Sequence, residues 1–462
     1  MLSDDALLAI FDFVVARKLV KKEIEPWQTL VHVCQRWRSV VFGSPRRLNL
    51  QLVCTAKTPA RDTLDVWPTL PLIIQNRDGL TEGVNNIVAA LERRDPVVKI
   101  ELTHVNSSSL EKVSAAMQVP FPELTDLRLW SDDETVPALP NSFLGGSAPR
   151  LVYLLLYGIP FPGLPNLLMS ATHLVKLILT IPHSGSISPE VIVTALSTLT
   201  SLESLRLQFQ SPLSHPDLES RRPPPKTRTL LPILSHFSFK GVYEYLDDLV
   251  ARIVAPQLIE MSITFFNDII FDTPHFIQFI SRTPTLKTLK SAYVTFEDGA
   301  AKIYFQTPEY NSLEVKILCK QLDWQASSLA QVCDSCLPPL STLEKLSIHL
   351  TPPSNSNRQD NIGNTLWIEI LHPFTAVKSL VLSEEFVPHI VPALKELVGG
   401  RTTAVLPALQ NISLEAQPSG PVQEGIQQFV AMRQVTGHPI EVSYGDDTEE
   451  YSDYYEMDEV DN

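Results

Sequence analysis

One short arrangement of apolar and polar positions, apolar-x-x-apolar-x-apolar, returns along this chain about every 27 residues. It reads Val97, Ile100, Leu102; Leu124, Leu127, Leu129; Leu151, Leu154, Leu156; Leu174, Leu177, Leu179; and Leu202, Leu205, Leu207. It continues as Leu234, Phe237, Phe239; Leu258, Met261, Ile263; Leu343, Leu346, Ile348; Val377, Leu380, Leu382; and Leu409, Ile412, Leu414. Weaker copies start at Leu286 and Leu313. With 44% apolar residues, one such triplet arises by chance at roughly one start in twelve, so a single copy carries no weight. The spacing does: starts from 97 to 258 lie 27, 27, 23, 28, 32 and 24 residues apart. Each copy predicts a short strand with one buried face, because neighbouring side chains on a strand point to opposite sides.

Between the copies lie helix signals. Ser188-Pro189-Glu190 opens Ile192, Ala195, Leu196 and Leu199, and Thr273-Pro274 opens Phe276, Phe279 and Ile280, each an N-cap with proline in the first turn. Trp367, Ile370, Leu371 and Phe374 repeat the helical spacing before the Val377 strand. One strand and one helix cannot bury their own apolar faces, so the units must stack. The predicted fold is therefore an α/β solenoid with a parallel sheet on its concave side, at a period in or near that of leucine-rich repeats. One segment breaks the rhythm: Tyr293 to Phe296, Asp298-Gly299 and Ile303 to Phe305 read as an inserted hairpin, near 293–305.

The first 45 residues differ in kind. Ser3 can cap a helix with Asp4 and Asp5 in its first turn and Leu7, Ile10, Phe11 and Val14 along one stripe. A second helix is predicted to carry Trp27, Leu30, Val33, Cys34, Trp37 and Val41 on one face. Two such short helices cannot bury so much apolar surface alone, so part of it must meet a partner or the first repeat.

The residues Leu2-Ser3-Asp4-Asp5-Ala6-Leu7-Leu8-Ala9-Ile10-Phe11, followed by Leu30-Val31-His32-Val33-Cys34-Gln35-Arg36-Trp37-Arg38, resemble the F-box motif. The chain departs from its usual form at Ser3, where the family has proline, and in the charged spacer from Arg17 to Glu25. With Phe42-Gly43-Ser44-Pro45-Arg46-Arg47-Leu48-Asn49-Leu50 and Trp67-Pro68-Thr69-Leu70-Pro71 after it, nearly the whole chain is similar to the large group of fungal F-box proteins with divergent leucine-rich repeats. The resemblance implies a substrate-recognition subunit of a Skp-cullin-F-box ubiquitin ligase. The Skp adaptor, and through it a cullin, would dock on Leu2, Leu7, Leu8, Ile10, Phe11, Leu30, Val33, Cys34 and Trp37, with Ile10, Phe11, Val33 and Trp37 at the centre. The repeats would hold a target protein. The runner-up is a protein-interaction scaffold that does not promote ubiquitination.

Target recognition is expected on the concave side, at the third, fifth and seventh residues of each copy. Most copies are polar there, as in Lys99, Glu101, Thr103 and Lys345, Ser347, His349. Two neighbours are not: Asp126, Arg128 and Trp130 lie beside Tyr153, Leu155 and Tyr157, with Ile178 on the next strand. Aromatic and arginine side chains grouped in this way are typical of interaction hot spots.

Charge refines this reading. The formal net charge is −15, and residues 446–462 hold nine acidic and no basic residues, leaving about −6 for the rest. No basic face suited to nucleic acid is expected, and 446–462 reads as a disordered acidic tail whose Tyr451, Tyr454 and Tyr455 could suit a basic partner or phosphorylation. The expected domains are thus 1–45, 46–445 and 446–462.

Five cysteines are too few and too irregular for a disulfide framework. The first charged residues are acidic, not a basic leader, and Leu151 to Met169 is interrupted by Pro160, Pro162 and Pro165. A soluble chain in the cytoplasm, the nucleus or both is expected, with no membrane contact. Cys333-Asp334-Ser335-Cys336 is a lone Cys-x-x-Cys whose Leu329, Val332, Cys333 and Cys336 share a helical face, which favours packing over metal. The histidines, His183 and His215 among them, show no ligand spacing. Arg221 to Arg228, around three prolines, reads as a repeat loop before a localisation or docking element. No phosphate loop, nucleophile elbow or paired-carboxylate motif is present, so neither cofactor nor catalysis is expected.

Overall fold

The repeat pattern becomes short strands that alternate with helices. The computed structural model describes residues 2–16, 26–76, 83–212, 227–266, 273–287, 289–309, 311–335, 340–351, 363–397 and 405–445. They divide into two compact units, 1–202 and 203–462.

The first unit begins with helices α1 (Asp4–Ala16), α2 (Pro26–Val31) and α3 (Gln35–Gly43). Strand and helix then alternate: β1 (Leu52–Cys54), α4 (Ala60–Leu64), β2 (Leu72–Asn76), α5 (Val84–Leu91), β3 (Val97–Leu102) and α6 (Ser107–Ala116). After β4 (Asp126–Trp130) a 3-10 turn at Phe143–Gly146 replaces the helix, and β5 (Tyr153–Tyr157), α7 (Leu164–Ser170), β6 (Lys176–Ile181) and α8 (Pro189–Leu196) follow. Every strand from β1 to β6 is parallel to the next. Leu127, Leu154 and Leu177 stand side by side in that register and are fully buried, as are Ile100 before them and Leu110, Val113, Leu167 and Leu168 of the helices. Ser188 caps α8 by accepting the N–H of Val191, and Ile192, Ala195 and Leu196 are buried as its spacing predicts.

One prediction is corrected in the N-terminal helices. Trp27 to Val41 is not one helix, because the chain leaves α2 at His32 and re-enters at Cys34, whose backbone is extended and whose sulfur accepts the N–H of Trp37 at 3.5 Å. The break takes Val33 and Cys34 off the face that carries Trp27. The helices are fastened to the first repeat: Trp27 is buried, donates its indole N–H to the carbonyl of Gln51 at 2.9 Å, and meets Trp67 and Phe42 edge-on.

The second unit holds β7 (Ser204–Phe209), β8 (Thr229–Leu230), β9 (His236–Gly241), α9 (Tyr243–Ala251), β10 (Ile253–Val254), β11 (Glu260–Phe266) and α10 (Pro274–Arg282). Next come β12 (Ser291–Glu297), β13 (Ala300–Gln306), β14 (Ser312–Leu318), α11 (Leu322–Ser335), β15 (Lys345–Leu350) and α12 (Asn364–Leu371). It ends with β16 (Ser379–Leu382), α13 (Val387–Leu397), β17 (Asn411–Leu414), α14 (Gly420–Val435) and β18 (Glu441–Tyr444). Strands β8 and β10 form a separate parallel pair. The predicted helices at Pro274 and Trp367 are present, with Phe276, Phe279, Ile280, Trp367, Ile370 and Leu371 buried.

The hairpin near 293–305 is formed by β12 and β13, and with β14 it lies within the sheet, in the spatial order β11-β14-β13-β12-β15. β13 runs antiparallel to both neighbours, whereas β14 is parallel to β11 and β12 to β15. Its turn is Asp298-Gly299, with Gly299 at φ +93°, a conformation glycine adopts without strain. Val294, Ile303 and Val315 continue the buried row across it.

Some predicted features lie outside the described residues: the tail 446–462, Cys336, His215, residues 221–226 and the spacer 17–25. Of the Cys-x-x-Cys helix, Leu329, Val332 and Cys333 are buried.

Candidate interaction surfaces

Two surfaces gather the predicted site residues. The first is formed by α1 to α3. Ser3 caps α1, its Oγ accepting the N–H of Ala6 at 3.3 Å. Arg36 then ties the entrance of α1 to α3, donating to Asp4 Oδ1 and to the carbonyl of Leu2, both at 2.7 Å. That bond brings Leu2 to the start of α3, where Val33 lies just before the cap.

The helices divide the predicted adaptor residues into two groups. Leu7, Leu8, Phe11 and Leu30 are buried, so they build the core of the helical segment and are not available to a partner. Leu2, Ile10 and Val33 remain 56%, 45% and 59% exposed, which is unusual for aliphatic side chains on a packed segment, and Cys34 is exposed too. Trp37 is half-buried and meets Phe11 edge-on at 4.9 Å, linking core to surface. The pattern also missed Phe13, one turn beyond Ile10 and 63% exposed. Its helical position is readable from sequence; its exposure is not.

The second surface is the face of β3 to β6 opposite the helices. Register places Lys99, Asp126, Tyr153 and Lys176 in one row, Glu101, Arg128, Leu155 and Ile178 in the next, and Trp130, Tyr157 and Thr180 in the third. The aromatic residues are thus brought together as the spacing of equal-length copies predicts. Trp130 and Tyr157 stack with centroids 4.2 Å apart and 23° between planes. The Arg128 guanidinium lies 4.2 Å above the Tyr153 ring, and Lys176 approaches the same ring at 5.5 Å.

Electrostatics fix these side chains in place. Arg128 donates to both carboxylate oxygens of Asp126, at 3.0 and 3.1 Å. Burial opposes its charge, but Asp126, Tyr153 and Glu101 outweigh that and hold the guanidinium above its usual value. Trp130 donates its indole N–H to Asp132 at 2.6 Å, and Asp132 also bonds His104. Partial burial raises the Asp132 carboxyl, yet its bonds to Trp130 and His104 prevail and keep it below the ordinary range.

Three of these partners were not predicted. His104 lies 5.8 Å from Trp130, in a left-handed backbone conformation at φ +52° that no periodicity reveals. Asp132 and Lys176 flank the patch as well. One predicted member is corrected: Ile178, beside Leu155 in register, is only 8% exposed and offers little surface to a partner. Trp130, Tyr153, Leu155 and Tyr157 are half-buried.

Among the described residues, no group of three or more histidine, cysteine, aspartate or glutamate side chains is placed to hold a metal ion, and no helix is long and apolar enough to cross a membrane. No protein-family model matches the chain, and no curated protein matches it. Among solved structures, the chain is similar to the leucine-rich repeat-containing protein LegL7 from Legionella pneumophila, at 13% identity over 82% of this chain and 97% of that one, with a TM-score of 0.29. At so loose a superposition, the repeat architecture is defined by this chain's own register.

Proposed function

We propose that the chain is a substrate-recognition subunit of a Skp-cullin-F-box ubiquitin ligase. Residues 1–45 are the adaptor-binding F-box, the repeats to residue 445 are the receptor, and the aromatic face of β3 to β6 takes the target protein. The observation that carries this reading is the exposure of Leu2, Ile10 and Val33 on a helical segment whose own core is already filled by Leu7, Leu8, Phe11 and Leu30. Apolar side chains left outside a completed core are available to a partner.

Support for the receptor role comes from the patch itself. Trp130, Tyr157 and Tyr153 offer large, rigid contact area, and Arg128 and Asp132 are already desolvated in part and held by neighbours, so little side-chain freedom is lost on binding. The reading involves no cofactor and assigns catalysis to other subunits.

The test is reconstitution. The purified chain is mixed with a Skp-family adaptor and a cullin and followed by size-exclusion chromatography with light scattering. A stoichiometric ternary complex is expected. Binding of adaptor without cullin would favour the scaffold reading, and failure to bind adaptor would reject the F-box assignment.

A further inference from the structure

The aromatic stack of the first unit stands at the rim of its sheet. Trp130 and Tyr157 are the last residues of β4 and β5 and are paired in register. The segment after β4 runs beside the segment after β5: Ser131 donates its N–H to the Tyr157 carbonyl at 3.0 Å, and Leu139 donates to that of Pro160 at 2.8 Å. On the far side of Tyr157 the row continues into Thr180, a side chain much shorter than a ring. Both rings keep part of their surface in water.

Charge is not spread evenly over this face. Its cations sit in the first two rows, where they have partners: Lys99 bonds Glu101 at 2.8 Å, Arg128 holds Asp126, and Lys176 lies against Tyr153. At the rim the sign is reversed. From Leu129 to Pro149 the sequence has no lysine or arginine, whereas Asp132, Asp133 and Glu134 follow the stack directly. Asp133 is used within the fold, accepting the N–H and the hydroxyl of Ser107 at 2.8 and 2.9 Å. Asp132 has capacity left. Its Oδ1 bonds Trp130 and its Oδ2 bonds His104, but each carboxylate oxygen has a second lone pair to offer, and the side chain is 51% exposed.

A partner laid across the rim thus meets two rings and then a carboxylate. An apolar side chain would cover the rings but strip water from Asp132 without replacing it. An acidic one would meet a like charge. Arginine suits both parts, because its stem covers apolar surface, its planar head stacks on rings, and its forked N–H groups match a carboxylate.

We infer that the target presents an arginine side chain to this rim. Its stem and guanidinium lie along the Trp130–Tyr157 stack and its N–H groups donate to Asp132, while Leu155, one row below, offers apolar surface to a neighbouring residue of the target. The inference rests on the reading that this face receives the target protein, and adds the chemistry that the face selects.

The probe is a short fluorescent peptide with one arginine between two leucines in a glycine-serine frame, titrated into the full chain and read by anisotropy. Saturable binding is expected. Citrulline in place of the arginine, which keeps the shape and loses the charge, or glutamate should weaken binding by at least about tenfold. On the chain, Trp130→Ala and Asp132→Asn should each weaken it by about tenfold. Asp132→Asn retains an acceptor for the Trp130 indole, so its melting temperature should be unchanged.

If the citrulline or glutamate peptide binds as tightly and is still lost in Trp130→Ala, the arginine inference falls and the face remains the target site. Unchanged affinity in Asp132→Asn, no saturable binding of the arginine peptide, or binding indifferent to Trp130→Ala would each overturn the inference. A dimer that dissociates in Trp130→Ala, seen by light scattering, would make the occupant a second copy and overturn it too. The reading of this face as the target site falls separately, if Trp130→Ala with Tyr157→Ala leaves capture of a defined target protein unchanged.

Discussion

The N-terminal helices allow folding and partner binding to be separated by two sets of substitutions. Phe11 is fully buried and in edge-to-face contact with Trp37 at 4.9 Å. Phe11→Ala should therefore cost about 3–5 kcal/mol through lost transfer energy and the cavity left behind. Ile10 and Val33 are about half exposed already. Fully burying such a side chain stabilises by roughly 1.5–3 kcal/mol, so the half still available to a partner is worth about 1 kcal/mol each. Ile10→Ser with Val33→Ser should thus leave stability within about 0.5 kcal/mol of the parent, while weakening adaptor binding by roughly 2 kcal/mol, about thirtyfold in Kd. Isothermal titration against the purified Skp-family adaptor gives the affinity. Hydrogen exchange over α1 to α3 gives the local stability. If the double variant binds adaptor within about twofold of the parent, the exposed residues are not the docking surface and the division of the helices into core and contact is wrong. Unchanged exchange protection in Phe11→Ala would refute the packing on which the division rests.

Trp130→Ala with Tyr157→Ala should abolish target capture while lowering the melting temperature by no more than a few degrees, since both rings lie on the half-exposed face; circular dichroism and pull-down with a defined target separate the two effects. His349 bonds Glu415 at 3.2 Å. Burial pushes its imidazole below the usual value, against the opposing pull of Glu415 and Glu385. With the folded value below the unfolded one, this contribution to stability is complete above about pH 6.5 and is lost as pH falls through that value. Urea unfolding between pH 8 and 5 should show the loss, and His349→Gln should flatten it. In α14, a Cβ on Gly425 would lie 2.4 Å from side-chain carbons of both Val391 and Lys395. Gly425→Ala should therefore destabilise by about 1–3 kcal/mol in a thermal melt in spite of alanine's better helix propensity.

Strand periodicity was readable wherever three apolar residues recur, as in β3 to β7, β9, β11 and β15 to β17. It failed at the ends. β1 and β2 precede the first copy, and β18 offers one exposed, short strand with Val442 and Tyr444 as its only core-row residues. The order β11-β14-β13-β12-β15 could not be read either, because periodicity tells which side of a strand is buried and not which strand lies next to it. In the helices, the spacing from Trp27 to Val41 conceals a break of three residues, since an extended residue at Cys34 restarts the helix without disturbing the apolar count. The aromatic rows were legible because copies of equal length keep register. Its charges were not: the Arg128 contact with Tyr153 and the His104–Asp132 pair are tertiary choices among rotamers and loop conformations.

The antiparallel insertion bears on where a target can be held. In the second unit it places Lys302 directly opposite Lys316, a pairing that is unfavourable by itself. The repulsion is relieved diagonally, by Lys302 with Glu314 at 2.7 Å and Lys316 with Glu297 at 3.4 Å. Those four charges therefore satisfy one another, and a ligand that displaced a partner would have to replace an ion pair already formed. On β4 and β5 the situation differs. The Arg128–Asp126 pair and the Asp132 carboxylate hold side chains in position, but the Tyr153 and Trp130 rings they brace, and the Tyr157 ring stacked on Trp130, are neutral and half-exposed. Covering such rings removes apolar surface from water without breaking an ion pair. On the energetics of desolvation, the first unit's face is thus the better place to look for target binding, and the second unit's meander the better place to look for rigidity.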